Sequence, residues 1–194
     1  MIAPGRGTVG DPRSAIRPLL LPGEAITWVG QPDVSAYAMR GAWYLIPFSL
    51  LWGGFAIFWE VTAIATAAPP LFAAWGVPFV AIGLYMIFGR LYVARREAQR
   101  TVYALTDRRI VIVTGAFRPT ITEIDVSFMP ITQLVEHGSG LGTITFGSGG
   151  GTFRPPPGWP TMGSYTRPAA FESVPNAKDV YRLIQDAKAA RSIA

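Results

Sequence analysis

Few side chains in this chain could make or break bonds. One histidine, His137, stands beside Glu136, and such a pair can serve as a general base. At the end of a strand-like run it reads more simply as a solvated terminus. Cysteine is absent, which removes disulfides, thiolate ligands and thiol nucleophiles, and a single imidazole leaves almost nothing for a transition-metal centre. The GSGLG and GSGGG runs resemble phosphate loops only superficially, since neither has the strand-to-helix context that aims backbone N–H groups at a phosphate. H-E-x-x-H, G-x-S-x-G and G-x-x-x-x-G-K patterns are missing. The expectation is a protein that is not an enzyme, with no catalytic residue, cofactor, metal or small-molecule substrate.

Arginine supplies the remaining chemistry. The formal charge of +5 comes from 17 Lys+Arg against 12 Asp+Glu, and only Lys178 and Lys188 are lysines. A basic balance can signal nucleic acid, but here the arginines flank apolar runs, which favours membrane headgroups as the partner and excludes nucleic acid. Three groups are candidates for contact with headgroups or a partner. Arg95, Arg96 and Arg100, with Arg90 before them, follow the second apolar run, where each contributes on the order of 1 kcal/mol beside an anionic leaflet. Arg108 and Arg109 sit in a short turn, and Arg154 and Arg167 flank Trp159 in a loop rich in Gly and Pro.

The elements that must position these arginines begin with lipid. Hydrophobic residues make up 50% of the chain and charged ones 15%, where globular proteins carry nearer a quarter charged. Residues 41–59 and 71–89 are each nineteen residues without a charge. At 1.5 Å per residue either helix reaches roughly 28 Å, close to the hydrocarbon thickness. Trp43, Tyr44, Trp59 and Tyr92 edge the runs as an aromatic belt would. The connection from Glu60 to Pro70 has no Lys or Arg, whereas Arg6, Arg13, Arg17 and Arg40 precede the first span and Arg90, Arg95, Arg96 and Arg100 follow the second. The positive-inside rule then places both ends in the cytoplasm, as a multi-pass protein of the inner membrane. Pro22, Gly23 and Glu24 break the earlier LLLPGEAITWVG stretch, so the first span reads as an uncleaved anchor. Pro47, Pro78, Gly53, Gly54, Gly76 and Gly83 could mark broken transporter helices; with no ionisable residue inside either span, small residues that let two helices approach are the better reading.

After the second span, LYVARREAQR continues the helix to near Thr101, and the periodicity changes. TVYALT and RIVIVTG read as strands joined at Asp107 and Arg108; TITEIDVSF alternates with Ile124, Val126 and Phe128 on one face and ends at Pro130. ITQLVEHG and LGTITFG make two more strands, separated by GSG around Ser139. Residues 148–168 form a long loop, whose Phe153, Trp159, Tyr165, Arg154 and Arg167 could reach a membrane interface or a partner, or pack back on the domain. A helix over 177–190 closes the chain, with Asn176 as N-cap, Asp179 in its first turn and Val180, Leu183, Ile184 and Ala187 as its apolar face. The expected class is membrane α+β: a flexible tail over 1–20, a juxtamembrane segment over 21–40, a transmembrane hairpin over 41–94, and a cytoplasmic domain over 95–194 built as a small antiparallel barrel or sandwich capped by the last helix.

The order of five features resembles the bacterial membrane proteins that carry a pleckstrin-homology-like domain, of the short YdbS-like or DUF304-like kind. These are the G-E-x-x-x-W-x-G-x-P segment (Gly23, Glu24, Trp28, Gly30, Pro32), the paired spans, Y-x-L-T-D-R-R-I from Tyr103 to Ile110, G-x-G-T-I-x-F from Gly140 to Phe146, and a terminal helix after F-x-x-V-P-N-A. The likeness covers roughly residues 20–190 and implies a split β-sheet barrel at the cytoplasmic membrane surface. It implies further that AITWVGQ, through Ile26, Trp28 and Val29, lends a strand to that domain. In eukaryotic pleckstrin-homology domains a basic hairpin loop grips inositol phosphates, which would make Arg108 and Arg109 a headgroup site. The alternative, which the neighbouring residues favour, has Thr106 and Asp107 bonding the turn backbone while the arginines pair with Glu123 or Asp125.

Together these readings predict a non-enzymatic, membrane-anchored scaffold that binds a protein partner or assembles with its own copies, through an exposed strand edge. The alternatives are an accessory subunit of a transporter or envelope-stress system, and a sensor of anionic lipid headgroups.

Overall fold

The computed structural model describes residues 11–127, 132–138, 140–147, 156–159 and 169–192. Arg6, Phe128, Pro130, Ser139, Phe153, Arg154, Tyr165 and Arg167 lie outside them, and with them the readings placed on those residues.

Two antiparallel sheets face each other. The first has the order β1 (Ile26–Gly30), β2 (Val102–Thr106), β3 (Arg109–Thr114), β4 (Thr120–Asp125); the second has the order β5 (Thr132–Glu136), β6 (Leu141–Phe146), β7 (Ala170–Pro175). Residues 26–30, within the juxtamembrane segment over 21–40 read as a possible first strand of the domain, pair with β2 through Trp28↔Leu105 and Gly30↔Tyr103. Everything from 31 to 101 is an insertion in the β1–β2 connection. β4 ends at Asp125, and Val126 beyond it is fully buried. The sheets remain separate rather than forming a closed barrel. Large aromatics fill the space between them: Phe171 meets Tyr103 at 4.8 Å, Phe146 at 5.1 Å and Trp28 at 5.5 Å between ring centres. The C-terminal helix Ala177–Ser192 caps this core with Val180 and Ile184. It approaches closely because Gly142 has no side chain; a methyl there would come within 2.6 Å of the Ala177 Cβ.

The expected flexible tail needs correcting from residue 12 onward. Asp11 accepts a hydrogen bond from the Arg13 N–H (3.0 Å) and caps α1 (Pro12–Ile16), which a 3-10 turn (Arg17–Leu19) extends. Ile16 is fully buried against Val102, Ala104 and Val111, with Leu19 and Leu20 beside it. This cover explains why every residue of β2 is buried, on both faces. Without it, Val102 and Ala104 would leave apolar area in water at a cost near 25 cal/mol per Å².

The inserted segment starts with α2 (Val34–Ala38), capped by the Asp33 carboxylate accepting from Ala36 N–H at 2.8 Å. The hairpin helices outrun the two nineteen-residue spans read from the sequence: α3 is Ala42–Ala65, and α4 (Pro70–Leu84) passes through a π-turn (Tyr85–Gly89) into α5 (Arg90–Arg100). The connection is thus 66–69 rather than 60–70, and Glu60 lies within α3. Thr62 and Thr66 donate to carbonyls one turn back, at 2.8 and 2.9 Å, and Pro70 starts α4, where its missing N–H costs nothing. Ala42, Leu45, Ser49, Gly53, Ala56 and Ala63 form the buried stripe of α3. A methyl on Gly83 would come within 2.8 Å of the Gly53 Cα, so the helices touch through backbone, as small residues permit. Outside that stripe, Leu51, Phe55, Phe58, Leu71, Trp75 and Phe88 are exposed. Both helices are long and apolar enough to cross a membrane.

Candidate functional site

The β2–β3 turn builds its site from two distant sequence segments. Thr106 Oγ1 accepts from the backbone N–H groups of Arg108 (3.2 Å) and Arg109 (2.9 Å), and donates to Glu24 Oε1 (2.7 Å). Arg109 forks onto the same carboxylate, Nε to Oε1 and Nη2 to Oε2, both at 3.0 Å, while Nη1 bonds Glu123 and Nη2 also reaches the Leu19 carbonyl at 2.7 Å. The Asp107 carboxylate accepts from the Ala25 N–H (3.0 Å). Burial alone would raise the Glu24 pKa. The bonds from Arg109, the Leu21 N–H and Thr106, with the Arg109 charge, outweigh it and bring the carboxyl down to about 2. The hydrogen bonds to Glu24 in turn push Arg109 up.

Arg109 is thus a structural clamp, and Glu123 is one of the acidic partners the sequence suggested. Glu24 was the partner the sequence reading missed. Both ends of the contact stood in the quoted motifs, Glu24 in the G-E pair and Arg109 in the L-T-D-R-R run, but nothing local joined them. Arg108 differs, with nearly half its side chain exposed and only a 4.0 Å approach to Asp107.

The candidate arginines separate in space. Val102 pairs with Val113 and Leu105 with Ile110, so the Asp107–Arg108 turn and the Gly115–Pro119 turn lie at opposite ends of the sheet, roughly 16 Å apart along five-residue β2. Arg95, Arg96 and Arg100 belong to the second end. Arg96 Nε (3.1 Å) and Arg100 Nη1 (3.0 Å) both donate to the Ala116 carbonyl, and the Arg96 guanidinium lies 5.4 Å from the centre of the Phe117 ring. Phe117 is 65% exposed. Arg95 and Arg118 are exposed too and make no ion pair with a described residue.

The π-turn and α5 (Tyr85–Arg100) form the stalk that joins the hairpin to the domain, and the sheet end beside it also carries a buried polar seam. Tyr37 bonds Glu97 (3.0 Å), Arg40 pairs with Glu172, and the Tyr103 hydroxyl accepts from the Glu172 N–H (3.1 Å). Burial, followed by the Glu172 charge, pushes the Tyr103 phenol up. These contacts fasten the base of the hairpin to β2 and β7. Of the long loop, the described turn 156–159 packs against the stalk rather than the sheets. Tyr85 donates to the Gly158 carbonyl at 2.6 Å, and a methyl on Gly158, whose φ is +73°, would sit 2.3 Å from the Arg90 carbonyl oxygen. Trp159 is half-buried there. His137 is exposed and meets Thr143 Oγ1 at 3.1 Å, while Glu136 pairs with Lys178 at 3.1 Å. Among the described residues no group of three or more His, Cys, Asp or Glu could hold a metal ion.

Two facing antiparallel sheets around one aromatic core, closed by a C-terminal helix, define a PH-like domain. A family model described as Bacterial PH domain matches residues 44–188, and the chain belongs to that family. The match runs through both apolar helices, and membership makes the domain a module for binding protein or lipid. No curated protein and no solved structure matches the chain.

Proposed function

We propose that the chain is a membrane-anchored scaffold, held by the α3–α4 hairpin in the cytoplasmic membrane with both ends inside the cell, whose PH-like domain binds a protein partner or a second copy of itself. It has no catalytic role in this reading. The observation that carries it is the open edge at β4. This strand is bonded to β3 on one side, and its outer backbone faces no described strand. Its first half, Thr120 to Thr122, carries no charge and leaves Ile121 47% exposed. Such an edge accepts an added strand through main-chain hydrogen bonds. The anchor is supported by the exposed aromatic and aliphatic faces of the hairpin, and its orientation by Arg40 and Arg90 flanking one end while residues 66–69 carry no cation.

Mass measurement of the full chain in mild detergent should find a defined oligomer or one stoichiometric partner, and Ile121→Lys should dissociate it. A monomer without partner, unchanged by that substitution, would remove the scaffold reading. A second reading, as an accessory subunit of a larger membrane assembly, is favoured by the hairpin itself. Trp52, Phe55, Trp59, Trp75 and Phe79 line a cavity of about 260 Å³, and beside it Glu60 Oε2 is buried against Gly76 with no hydrogen-bond partner among the described residues. Capture of a multi-span protein that is lost on Glu60→Ala would support it over self-assembly.

A further inference from the structure

Besides the β1–β2 insertion that carries the hairpin, two other connections between strands end against its stalk. From Val113, opposite Val102, the β3–β4 turn climbs back along α5: Ala116 meets Arg100 and Arg96, and Phe117 stacks on Arg96. Arg96 lies six residues beyond Arg90, about 9 Å along the helix, within a few ångströms of a headgroup layer roughly 5–8 Å thick. The β6–β7 connection climbs further, since Gly158 bonds Tyr85, inside the apolar run. The domain therefore presents this end toward the bilayer, and the tip of the β3–β4 turn carries an exposed aromatic, Phe117, next to the exposed cation Arg118. That pairing suits the interface, where a ring enters the acyl boundary while a guanidinium meets phosphate. Cation is in excess here: Arg95 and Arg118 have no carboxylate among the described residues. Arg90, only 2% exposed, has Nε and Nη1 without an acceptor among the described residues.

We propose that the β3–β4 turn is a second membrane contact, with Phe117 inserted at the inner-leaflet interface and Arg118 bound to anionic lipid phosphate, so that the domain lies against the bilayer instead of swinging on its stalk. This rests on the membrane-anchored reading above. It also moves the headgroup contact from Arg108 and Arg109 to the opposite end of the sheet.

Because the chain has no cysteine, single cysteines can carry an environment-sensitive fluorophore at Phe117→Cys, Arg108→Cys and Phe58→Cys. The full chain would be reconstituted in vesicles of phosphatidylethanolamine and phosphatidylglycerol containing a lipid with a nitroxide near its headgroup or in its acyl chain. The label at 117 should be blue-shifted and several-fold more strongly quenched than the label at 108, with the label at 58 quenched from the acyl chain. Arg118→Glu should cut the quenching at 117 several-fold in these vesicles. If 117 behaves like 108 while 58 is quenched, the anchor stands and the second contact is overturned. If 58 is unquenched as well, the anchored reading itself fails. Quenching at 117 that Arg118→Glu leaves unchanged overturns the assignment of Arg118 to lipid phosphate.

Discussion

At the β2–β3 turn Arg109 gives every guanidinium nitrogen to the protein, whereas at the β3–β4 turn Arg118 gives none to any described residue. Arg109 sits between a carboxylate buried with it, Glu24, and one at the surface, Glu123. Arg118 is exposed beside Phe117, whose ring is exposed as well. The same residue type is a fastener at one end of a sheet and, among the described residues, an unpaired charge at the other. What decides between them is whether the chain brings a carboxylate to that place. A basic cluster in sequence is thus no measure of a basic surface, because a bidentate, part-buried ion pair is consumed by folding.

The strongest test of that contrast is Arg109→Ala. It strands the Glu24 carboxylate, whose side chain is 0% exposed, and should cost about 3–5 kcal/mol, read as a lowered denaturation midpoint of the full chain in detergent. Acid sharpens the same point. The folded pKa of Glu24 is depressed from 4.5 to about 2, so its contribution is complete above pH 4.5 and is lost as pH falls toward 2. The linked loss is about 3 kcal/mol; in Glu24→Gln this component of the acid dependence should disappear. An unchanged acid profile in that variant would show that Glu24 is not the group that titrates.

A smaller effect is expected at the stalk end. Gly158→Ala forces a methyl onto the Arg90 carbonyl at a positive φ and should dislodge the 156–159 turn, at about 2 kcal/mol. Faster proteolytic nicking near Trp159 would report the release; wild-type nicking rates would mean the turn is not held there. Smallest of all is Arg108→Ala, whose half-exposed side chain only approaches Asp107. Its denaturation midpoint should stay within about 0.5 kcal/mol of wild type. A loss comparable with Arg109→Ala would erase the distinction between the two adjacent arginines.

Much of the fold could be read locally. The two uncharged runs, the change to period-two alternation after Thr101 and the apolar face of Val180, Leu183, Ile184 and Ala187 each follow from side chains within a few residues of one another. Helix ends were less legible. Glu60 looked like the limit of a span, but Val61 to Ala65 continue the helix because nothing there breaks it, and Pro69–Pro70 set the next start. The burial of Ile16, Leu19 and Leu20 was missed, since an apolar triplet among arginines and prolines has no period to announce what it covers. Of the candidate site, the turn and its arginines were visible; their separation by the length of β2 was not, because Arg100 and Arg108 are close in sequence while the strand between them runs straight.

The amino-acid order alone determined that lipid-compatible helices, a β-rich module and a terminal amphipathic helix would follow one another, because those properties are periodicities and runs of hydropathy that need no distant partner. Tertiary structure alone decided that β1 pairs with β2 through Trp28 and Leu105, that Glu24 claims Arg109, and that Phe117 and Arg118 stand beside the stalk. Each of these depends on antiparallel register between segments up to some eighty residues apart in the chain, as in the Glu24–Arg109 pair. Register is fixed only when the aromatic core around Phe171 packs.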